Sequence, residues 1–253
     1  MPQIHIWCPR QSAGARSIRD ALRSEGIAAF KSPASGRIWK FLRRLRDGDI
    51  WINWGEPPHR SLTYDTYDFW RRGVPSVYLN EQVRWFNKRD QLIHLASRGI
   101  SVPEVFDSGG DGRIGRSYGH RGGSDLLAGT GRDYWVQRLD IHHEIRVHVF
   151  RGLAIRTGVK VHREGFADPS TWIRTWDGGW TLDYSKARAV RNSRRELAKE
   201  AVLALGLDFG AVDIGVLGDG RPVVLEVNTA PGVDGPQSVG AYVRHFKELA
   251  DAQ

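Results

Sequence analysis

The feature that most constrains this chain is a pair of apolar strand patterns, residues 209–217 and 222–228, joined at residues 218–221 (Gly-Asp-Gly-Arg). Asp-Gly is favoured at the centre of a two-residue hairpin turn, so the pattern predicts an antiparallel hairpin. Counting back from that turn places Asp213 directly opposite Glu226, and strand alternation puts Asn228 on the same face. Two facing carboxylates among apolar neighbours need a cation or a proton, and hard oxygen ligands suit Mg²⁺. The hairpin therefore predicts a magnesium site. The alternative is an incidental pair on a solvent-exposed face.

The rest of the chain predicts an α/β fold. Strand and helix patterns alternate through the first 80 residues, which is typical of a parallel sheet with crossover helices. The predicted strands are 3–7, 27–30, 50–52 and 76–79, and the predicted helices are 12–25 (capped by Ser12), 37–46 and 63–72. Helices 81–98, 192–205 (capped by Asn192 or Ser193) and 237–251 follow, with antiparallel strands at 113–116, 133–139, 144–150 and 153–160. Residues 162–185 are predicted to form a long aromatic loop, which either covers a substrate or packs its tryptophans against the protein.

Composition limits the partners and the compartment. The chain has 253 residues and a net charge of +8, which suits nucleic acid, ATP or an acidic substrate, although the basic residues are scattered. Cys8 is the single cysteine, so no intrachain disulfide can form and a reducing compartment is expected. We find no apolar run long enough to span a bilayer and no signal-peptide pattern, so we expect a cytoplasmic protein that does not act at a membrane.

Two C-terminal segments resemble the ATP-grasp superfamily: residues 205–213 (LGLDFGAVD) and residues 225–232 (LEVNTAPG). The second is similar to a motif of D-alanine–D-alanine ligases and glutamate-adding ligases. Within the superfamily the chain most resembles the small carboxylate–amine ligases often found with phage genes. This resemblance implies an ATP-grasp fold with an N-terminal parallel α/β (pre-ATP-grasp) lobe over residues 1–80. Two α+β lobes, a central one over 81–140 and a C-terminal one over 141–253 with the metal site, would clasp ATP.

The resemblance also implies roles for individual residues. Asp213, Glu226 and Asn228 would hold one or two Mg²⁺ ions, with Mn²⁺ as a substitute. Lys88 and Arg116 would contact the ATP phosphates beneath a glycine-rich flap containing Gly119, Gly122 and Gly123. The adenine would lie along Gln137, Arg138 and Leu139, and Glu144 would accept the ribose hydroxyls. The sequence departs from the family at two of these positions, because Arg116 replaces a lysine and Gln137 replaces a glutamate. Arg146, Lys160 and Arg163 are the candidate catalytic cations for an acyl-phosphate and an oxyanion.

The expected activity is ATP-dependent ligation of a carboxylate to an amine through an acyl-phosphate, with release of ADP and phosphate. The substrates would be small molecules or peptides, and a macromolecular acceptor is also compatible with the sequence. A homodimer is the default expectation for a small enzyme. Two alternatives stay open: an ATP-grasp phosphotransferase of the kinase type, and a basic nucleic-acid-binding module without turnover.

Overall fold

The structure is a computed structural model that describes residues 2–33, 46–55, 77–81, 87–118, 125–126, 133–170, 173–233 and 235–253. The chain divides into two compact units. Unit 1 comprises Met1–Arg84, Gly206–Gly210 and Asn228–Gln253, and unit 2 comprises Trp85–Leu205 and Ala211–Val227. Most of the predicted helix 37–46, all of the predicted helix 63–72 and the first turns of the predicted helix 81–98 lie outside the described residues.

Unit 1 contains a four-stranded parallel sheet in the order β2-β1-β3-β4. Its strands are β1 (Ile4–Cys8), β2 (Ala29–Pro33), β3 (Ile50–Asn53) and β4 (Val77–Leu79). Helix α1 (Ala13–Ser24) links β1 to β2 and buries Ala15, Ile18 and Leu22. Ser12 caps this helix as predicted, since its hydroxyl accepts a hydrogen bond from the Ala15 N–H at 3.2 Å. The parallel α/β arrangement expected for the N-terminal residues is confirmed.

The C-terminal helix of the chain, which we label α4 (Gly235–Asp251), packs against α1 within unit 1. Its Tyr242 and Phe246 contact Phe209, and Trp54 stacks on Phe209 with ring centroids 5.3 Å apart. All four rings are buried. The core of unit 1 is therefore built from residues that lie far apart in the sequence.

Asn80 links the end of β4 to the start of the C-terminal hairpin in unit 1. Its φ of 52° is a left-handed conformation that asparagine tolerates better than most residues. The Asn80 Oδ1 accepts hydrogen bonds from the N–H groups of Asp208 and Phe209, and its Nδ2 donates to the Phe209 carbonyl at 2.9 Å. The Asn80 side chain thereby pairs backbone groups of Asp208 and Phe209 as a neighbouring strand would.

Unit 2 contains two antiparallel sheets. The smaller has the order β5-β7-β6, formed by β5 (Val105–Phe106), β6 (Arg113–Arg116) and β7 (Tyr134–Gln137). Helix α2 (Lys88–Ser97) precedes it, and Leu92 packs with Tyr134 and Val136 in its core. The larger sheet has the order β10-β9-β8-β11-β12. Its strands are β8 (Ile141–Phe150), β9 (Leu153–His162), β10 (Trp180–Asp183), β11 (Phe209–Leu217) and β12 (Pro222–Asn228).

Helix α3 (Asn192–Ala204) packs against β8 and β9, and a 3₁₀ turn (Ser185–Ala189) precedes it. The expected cap of α3 was wrong, because Arg191 is the cap residue and no side chain caps the helix. Among the helices in the described ranges, none combines the length and the hydropathy that crossing a bilayer requires.

The strands of the C-terminal hairpin are confirmed, but the predicted two-residue turn is wrong. Leu217 N–H donates to Arg221 O at 2.9 Å, and Gly220 N–H donates to Leu217 O at 2.9 Å. Residues 218–220 therefore form a three-residue loop, with Gly220 at a φ of 85°. Next to the turn, the pairing differs by one residue from the predicted register.

The prediction that residues 162–185 form one long loop is wrong for their last part, which contains a strand. Their last part forms β10, which pairs with the end of β9 so that Trp180 lies opposite His162 and Leu182 opposite Lys160. The remaining segment between the two strands is held by internal hydrogen bonds, including Arg163 N–H to Gly179 O and Ser170 N–H to Gly178 O.

Candidate functional site

Strand β8 places Glu144, Arg146 and His148 on one face of the larger sheet, because residues two apart in a strand share a face. The intervening Ile145, Val147 and Val149 are fully buried on the other face. The register pairs Ile145 with Val159, so Glu144 lies beside Lys160, and the two side chains form an ion pair. The strand therefore alternates between core positions and a charged face.

Arg146 binds Asp213 of β11 through two parallel hydrogen bonds. Its Nε donates to Oδ1 at 2.6 Å, and its Nη2 donates to Oδ2 at 2.7 Å. Burial by itself raises the pKa of Asp213, but Arg146 and Lys160 outweigh burial and lower the pKa to about 2. Asp213 is consequently ionised at neutral pH, and the two-pronged geometry fixes the guanidinium.

Lys88 forms an ion pair with Glu226 of β12. Lys88 is the first residue of α2, and the side chain of Asn87 caps this helix by accepting from Arg89 N–H at 2.8 Å. Burial raises the pKa of Glu226, but the charge of Lys88, the hydrogen bond from Lys88 and the charge of Arg146 together outweigh burial, so the pKa is lowered. The negative charge of Asp213 acts on Glu226 in the opposite direction. The predicted proximity of the two acids is therefore found, although the turn that was expected to produce it is different.

Lys160 stays charged although it is largely buried. Burial lowers the pKa of its ammonium group, but the carboxylates of Glu144 and Asp213 more than compensate and raise it. The structure thus brings together two of the three predicted catalytic cations, Arg146 and Lys160, with the predicted ribose ligand Glu144. Since Glu144 is already paired with Lys160, its role toward ribose stays a prediction.

A divalent cation fits the chemistry of this donor set. Asp213 and Glu226 offer hard, ionised oxygens in a partly buried setting, which suits Mg²⁺. Asn228 ends β12 but belongs to unit 1, and its Nδ2 is buried with no hydrogen-bond partner among the described residues. Its part in a metal site stays a prediction. Within the described ranges, no cluster of three or more His, Cys, Asp or Glu side chains could hold a metal ion.

Arg116 lies at the base of the predicted flap. Its Nε donates to Asp125 Oδ2 at 3.0 Å, and the Ser117 N–H donates to the same oxygen at 3.0 Å. Asp125 is buried and was not predicted as a site residue. Gly119, Gly122 and Gly123 lie outside the described residues. The structure therefore shows what holds Arg116 at the edge of the glycine-rich segment.

The predicted adenine segment follows β7. Gln137 N–H donates to Glu104 O at 2.8 Å, and Arg138 N–H donates to Gly112 O at 2.8 Å. Both side chains are exposed, and Leu139 is half-buried. An adenine edge that contacts this segment cannot use those two N–H groups while these bonds persist.

The structure places Arg163 in the aromatic segment after β9, not with the ion pairs. Its guanidinium lies 4.6 Å from the centre of the Phe166 ring and 4.4 Å from that of Trp176. Trp176 is 62% exposed, whereas the Trp180 Nε1 donates to Ser170 O at 2.8 Å within the segment. Trp180 is therefore held within the segment itself, Trp176 faces solvent, and both hypotheses for the segment, substrate cover and packing against the protein, stay predictions.

Tyr184 and Arg156 also lie by the charged face and were not predicted as site residues. The Tyr184 hydroxyl is 3.3 Å from His148 Nε2, and the Arg156 guanidinium lies 3.9 Å from the centre of the Tyr184 ring. Burial, with Arg146 and Arg156, lowers the pKa of His148 to about 3, so the imidazole is neutral at physiological pH. Arg156 could have been predicted from the sequence, because it lies four residues before Lys160 in the same strand and therefore on the same face.

Comparison of the sequence with protein-family models and with curated proteins gave no match. Solved structures are similar over nearly the whole chain. An ATP-grasp ligase, PsnB, complexed with a minimal precursor is 13% identical with a TM-score of 0.64, over 98% of this chain and 100% of that one. The macrocyclase MdnC bound with precursor peptide MdnA from Microcystis aeruginosa MRC is 12% identical with a TM-score of 0.60, over 98% and 100%.

A third similar structure is a D-alanine–D-alanine ligase from Bacillus anthracis, which is 15% identical with a TM-score of 0.66, over 99% of this chain and 95% of that one. At these identities the likeness defines the fold. The chain has the ATP-grasp fold, and the predicted fold class is confirmed. Of the three proteins, PsnB is described as an ATP-grasp ligase, MdnC as a macrocyclase, and the third as a D-alanine–D-alanine ligase.

Proposed function

We propose that the chain is an ATP-dependent carboxylate–amine ligase that forms an amide or peptide bond through an acyl-phosphate and releases ADP and phosphate. The observation that supports this best is the charged face of unit 2, where Arg146 holds Asp213 and Lys88 holds Glu226 on an ATP-grasp fold. Transfer of a phosphoryl group from ATP needs cations around the phosphates and acids that can hold a divalent ion. This face offers both.

The nucleotide would be bound by the residues of unit 2. Lys88 and Arg116 would contact its phosphates, with Gly119, Gly122 and Gly123 covering them. Gln137, Arg138 and Leu139 would lie along the adenine, and Glu144 would accept the ribose hydroxyls. Asp213 and Glu226, with Asn228, would hold one or two Mg²⁺ ions. A bound Mg²⁺ supplies neutralisation of the charge that develops on the phosphates.

Arg146 is the group best suited to the reacting centre. It is charged and largely buried between strands β8 and β11, where it binds Asp213, so it can stabilise negative charge that develops on the reacting groups. In the first step a substrate carboxylate oxygen attacks the γ-phosphorus, the bond to ADP breaks, and an acyl-phosphate forms. In the second step an amine attacks the acyl carbon, phosphate leaves and the amine loses a proton. Lys160 is a second cation on the same face, and Arg163 would act from the aromatic segment.

A peptide is the substrate class that we favour. Two of the similar structures are described as bound to a precursor or a precursor peptide. The exposed Trp176, stacked on Arg163, offers a flat surface beyond β9 that an extended substrate can contact. A small carboxylate and amine, as the name D-alanine–D-alanine ligase implies for that protein, is the alternative.

The test is Mg²⁺-dependent ADP release in the presence of pools of amino acids, polyamines and short peptides. Glu226→Ala is the test variant, and Glu196→Ala is its control because Glu196 is an exposed acid paired with Lys199 at 2.9 Å. We expect one pool to stimulate ADP release and mass spectrometry to find a product equal to two components minus water. Glu226→Ala should abolish this, and Glu196→Ala should not.

Other outcomes would separate the alternatives. A phosphorylated product without condensation would identify a phosphotransferase. Failure to bind ATP, together with nucleic-acid binding that weakens steeply with salt, would identify a nucleic-acid-binding module. Unchanged ADP release in Glu226→Ala would contradict the proposed acid pair.

A further inference from the structure

The ion-paired side chains of the candidate site in unit 2 balance one another in charge. Three cations pair with three carboxylates: Arg146 with Asp213, Lys88 with Glu226, and Lys160 with Glu144. Each acid proposed to hold a metal ion or the ribose is therefore already neutralised by a cation of the protein itself. An isolated cluster of ionised acids would attract a divalent ion, whereas a neutralised cluster does so far less.

Asp213 is the more tightly held of the two metal-site acids. Both of its oxygens accept hydrogen bonds from Arg146, at 2.6 and 2.7 Å, and its side chain is only 7% exposed. A metal ion that approached Asp213 in this state would lie against a buried guanidinium. Because the guanidinium cannot lose its proton, it can leave only if another anion takes it.

Glu226 is held at a more accessible point. Lys88 begins α2, so it lies at the end of an element and its side chain is 28% exposed. An ammonium on a flexible stem changes partners easily. Lys88 and Arg146 thus differ in rigidity, but each occupies the oxygens that a metal ion would need.

We infer that this site excludes a free divalent cation and accepts one only together with the polyphosphate of a nucleotide. Lys88 and Arg146 act as resident counter-ions of the metal-site acids, and they exchange those acids for the incoming phosphate oxygens. The inference rests on the proposed function. It assigns a second role to Lys88, in addition to its contact with the phosphates, and to Arg146, in addition to its place at the reacting centre. The two residues set the order in which metal and nucleotide can bind.

The exchange conserves the charge balance. The polyphosphate supplies negative charge to Lys88 and Arg146, and the metal ion supplies positive charge to Glu226 and Asp213. By thermodynamic reciprocity, the factor by which the nucleotide raises metal affinity equals the factor by which the metal raises nucleotide affinity. Removing Lys88 or Arg146 leaves its acid without a cation, so the affinity for the metal alone should increase. Loss of a merely structural residue would not raise that affinity.

The experiment measures binding of Mn²⁺ alone, by paramagnetic resonance of the free ion and by calorimetry, to wild type, Arg146→Met and Lys88→Met. Methionine retains the apolar stem and removes the charge. Arg156→Met is the matched control, because Arg156 is a cation beside the same face that stacks on Tyr184. The same proteins are then measured with the ATP analogue AMPPNP. The Lys88→Met variant also guards against misfolding of Arg146→Met, since Lys88 is more exposed.

We expect no binding of Mn²⁺ alone to wild type or Arg156→Met at concentrations that saturate the AMPPNP-loaded wild type. Arg146→Met and Lys88→Met should bind Mn²⁺ alone, with a dissociation constant at least about tenfold below the lower limit that the measurement sets for wild type. The inference is overturned if wild type binds Mn²⁺ alone as tightly as these variants do, or if neither variant gains affinity. Absence of AMPPNP binding to wild type would instead refute the proposed function itself.

Discussion

The substitution Asp213→Asn tests the electrostatics of the charged face most directly. The change keeps the size and shape of the side chain but removes the negative charge that Arg146 binds through both oxygens. Breaking a buried ion pair by removing one partner typically costs about 3–5 kcal/mol, because the other charge is left buried and uncompensated. The pKa of Asp213 provides a separate measure of the same interaction.

Asp213 titrates near 3.8 when unfolded and at about 2 in the folded chain. At about 1.36 kcal/mol per pKa unit, ionised Asp213 contributes on the order of 2 kcal/mol to folding at neutral pH. The folded pKa is the lower one, so this contribution is present above pH 3.8 and is lost as the pH falls toward 2. About half should be gone by pH 3. In Asp213→Asn the contribution is absent at every pH.

The assay is urea unfolding of wild type and Asp213→Asn, followed by far-UV circular dichroism in the presence of a metal chelator and without nucleotide. We expect the variant to be less stable by about 2–5 kcal/mol at pH 7, with the larger cost if Arg146 stays buried. The difference between the two proteins should shrink as the pH falls from 5 to 3. A difference that is below about 0.5 kcal/mol, or that stays constant with pH, would refute a tight ion pair at this position.

Three further predictions concern other parts of unit 2. Gly179→Ala should destabilise the protein by about 1–3 kcal/mol in urea unfolding, because Gly179 has a φ of 85° and an added Cβ would overlap Phe166; Gly165→Ala, at a φ of 76° in open space, should cost less. Burial raises the pKa of Tyr134 to about 12, so ultraviolet titration should show a tyrosine that ionises well above pH 10. His148 should show no protonation by NMR between pH 8 and 5, and its neutral form should favour folding above pH 6.5 and lose that contribution as the pH falls. Equal costs for the two glycine variants, a Tyr134 that titrates near pH 10, or a His148 that titrates near pH 6.5 would contradict these assignments.

The strands of the C-terminal hairpin were predictable from the sequence, but the turn was not. Two nearly continuous apolar runs, separated by the turn residues 218–221, predicted the bounds of β11 and β12, which agree with the structure. The sequence Gly-Asp-Gly suits both a two-residue turn and a three-residue loop, because each needs a residue with positive φ at Gly220. Only the hydrogen bonds of Leu217 distinguish the two. The local sequence therefore predicted the two strands, but it did not determine which residues pair across the turn.

The partners of the two acids could not be predicted from the sequence. Lys88 and Glu226 are 138 residues apart, and Arg146 and Asp213 are 67 residues apart. Such pairs depend on how strands are ordered in a sheet and where a helix packs beside it, and spacing along the chain encodes neither. The strand β10 was missed for the same reason, since its four residues are defined by pairing with β9 and not by a pattern of their own.

Unit 1 is assembled from three separate segments of the chain, and this affects when it can fold during synthesis. Its aromatic core joins Trp54 to Phe209 and Tyr242, and Phe209 to Phe246, so β1 to β4 cannot bury their final contacts until residues 235–251 have been synthesised. Unit 2, by contrast, is complete once Val227 has emerged. During translation, the part of the chain that begins first is therefore the part that finishes last, and contacts of such long sequence separation form slowly. The N-terminal strands therefore expose the apolar face that Tyr242 and Phe246 later cover until residues 235–251 have been synthesised.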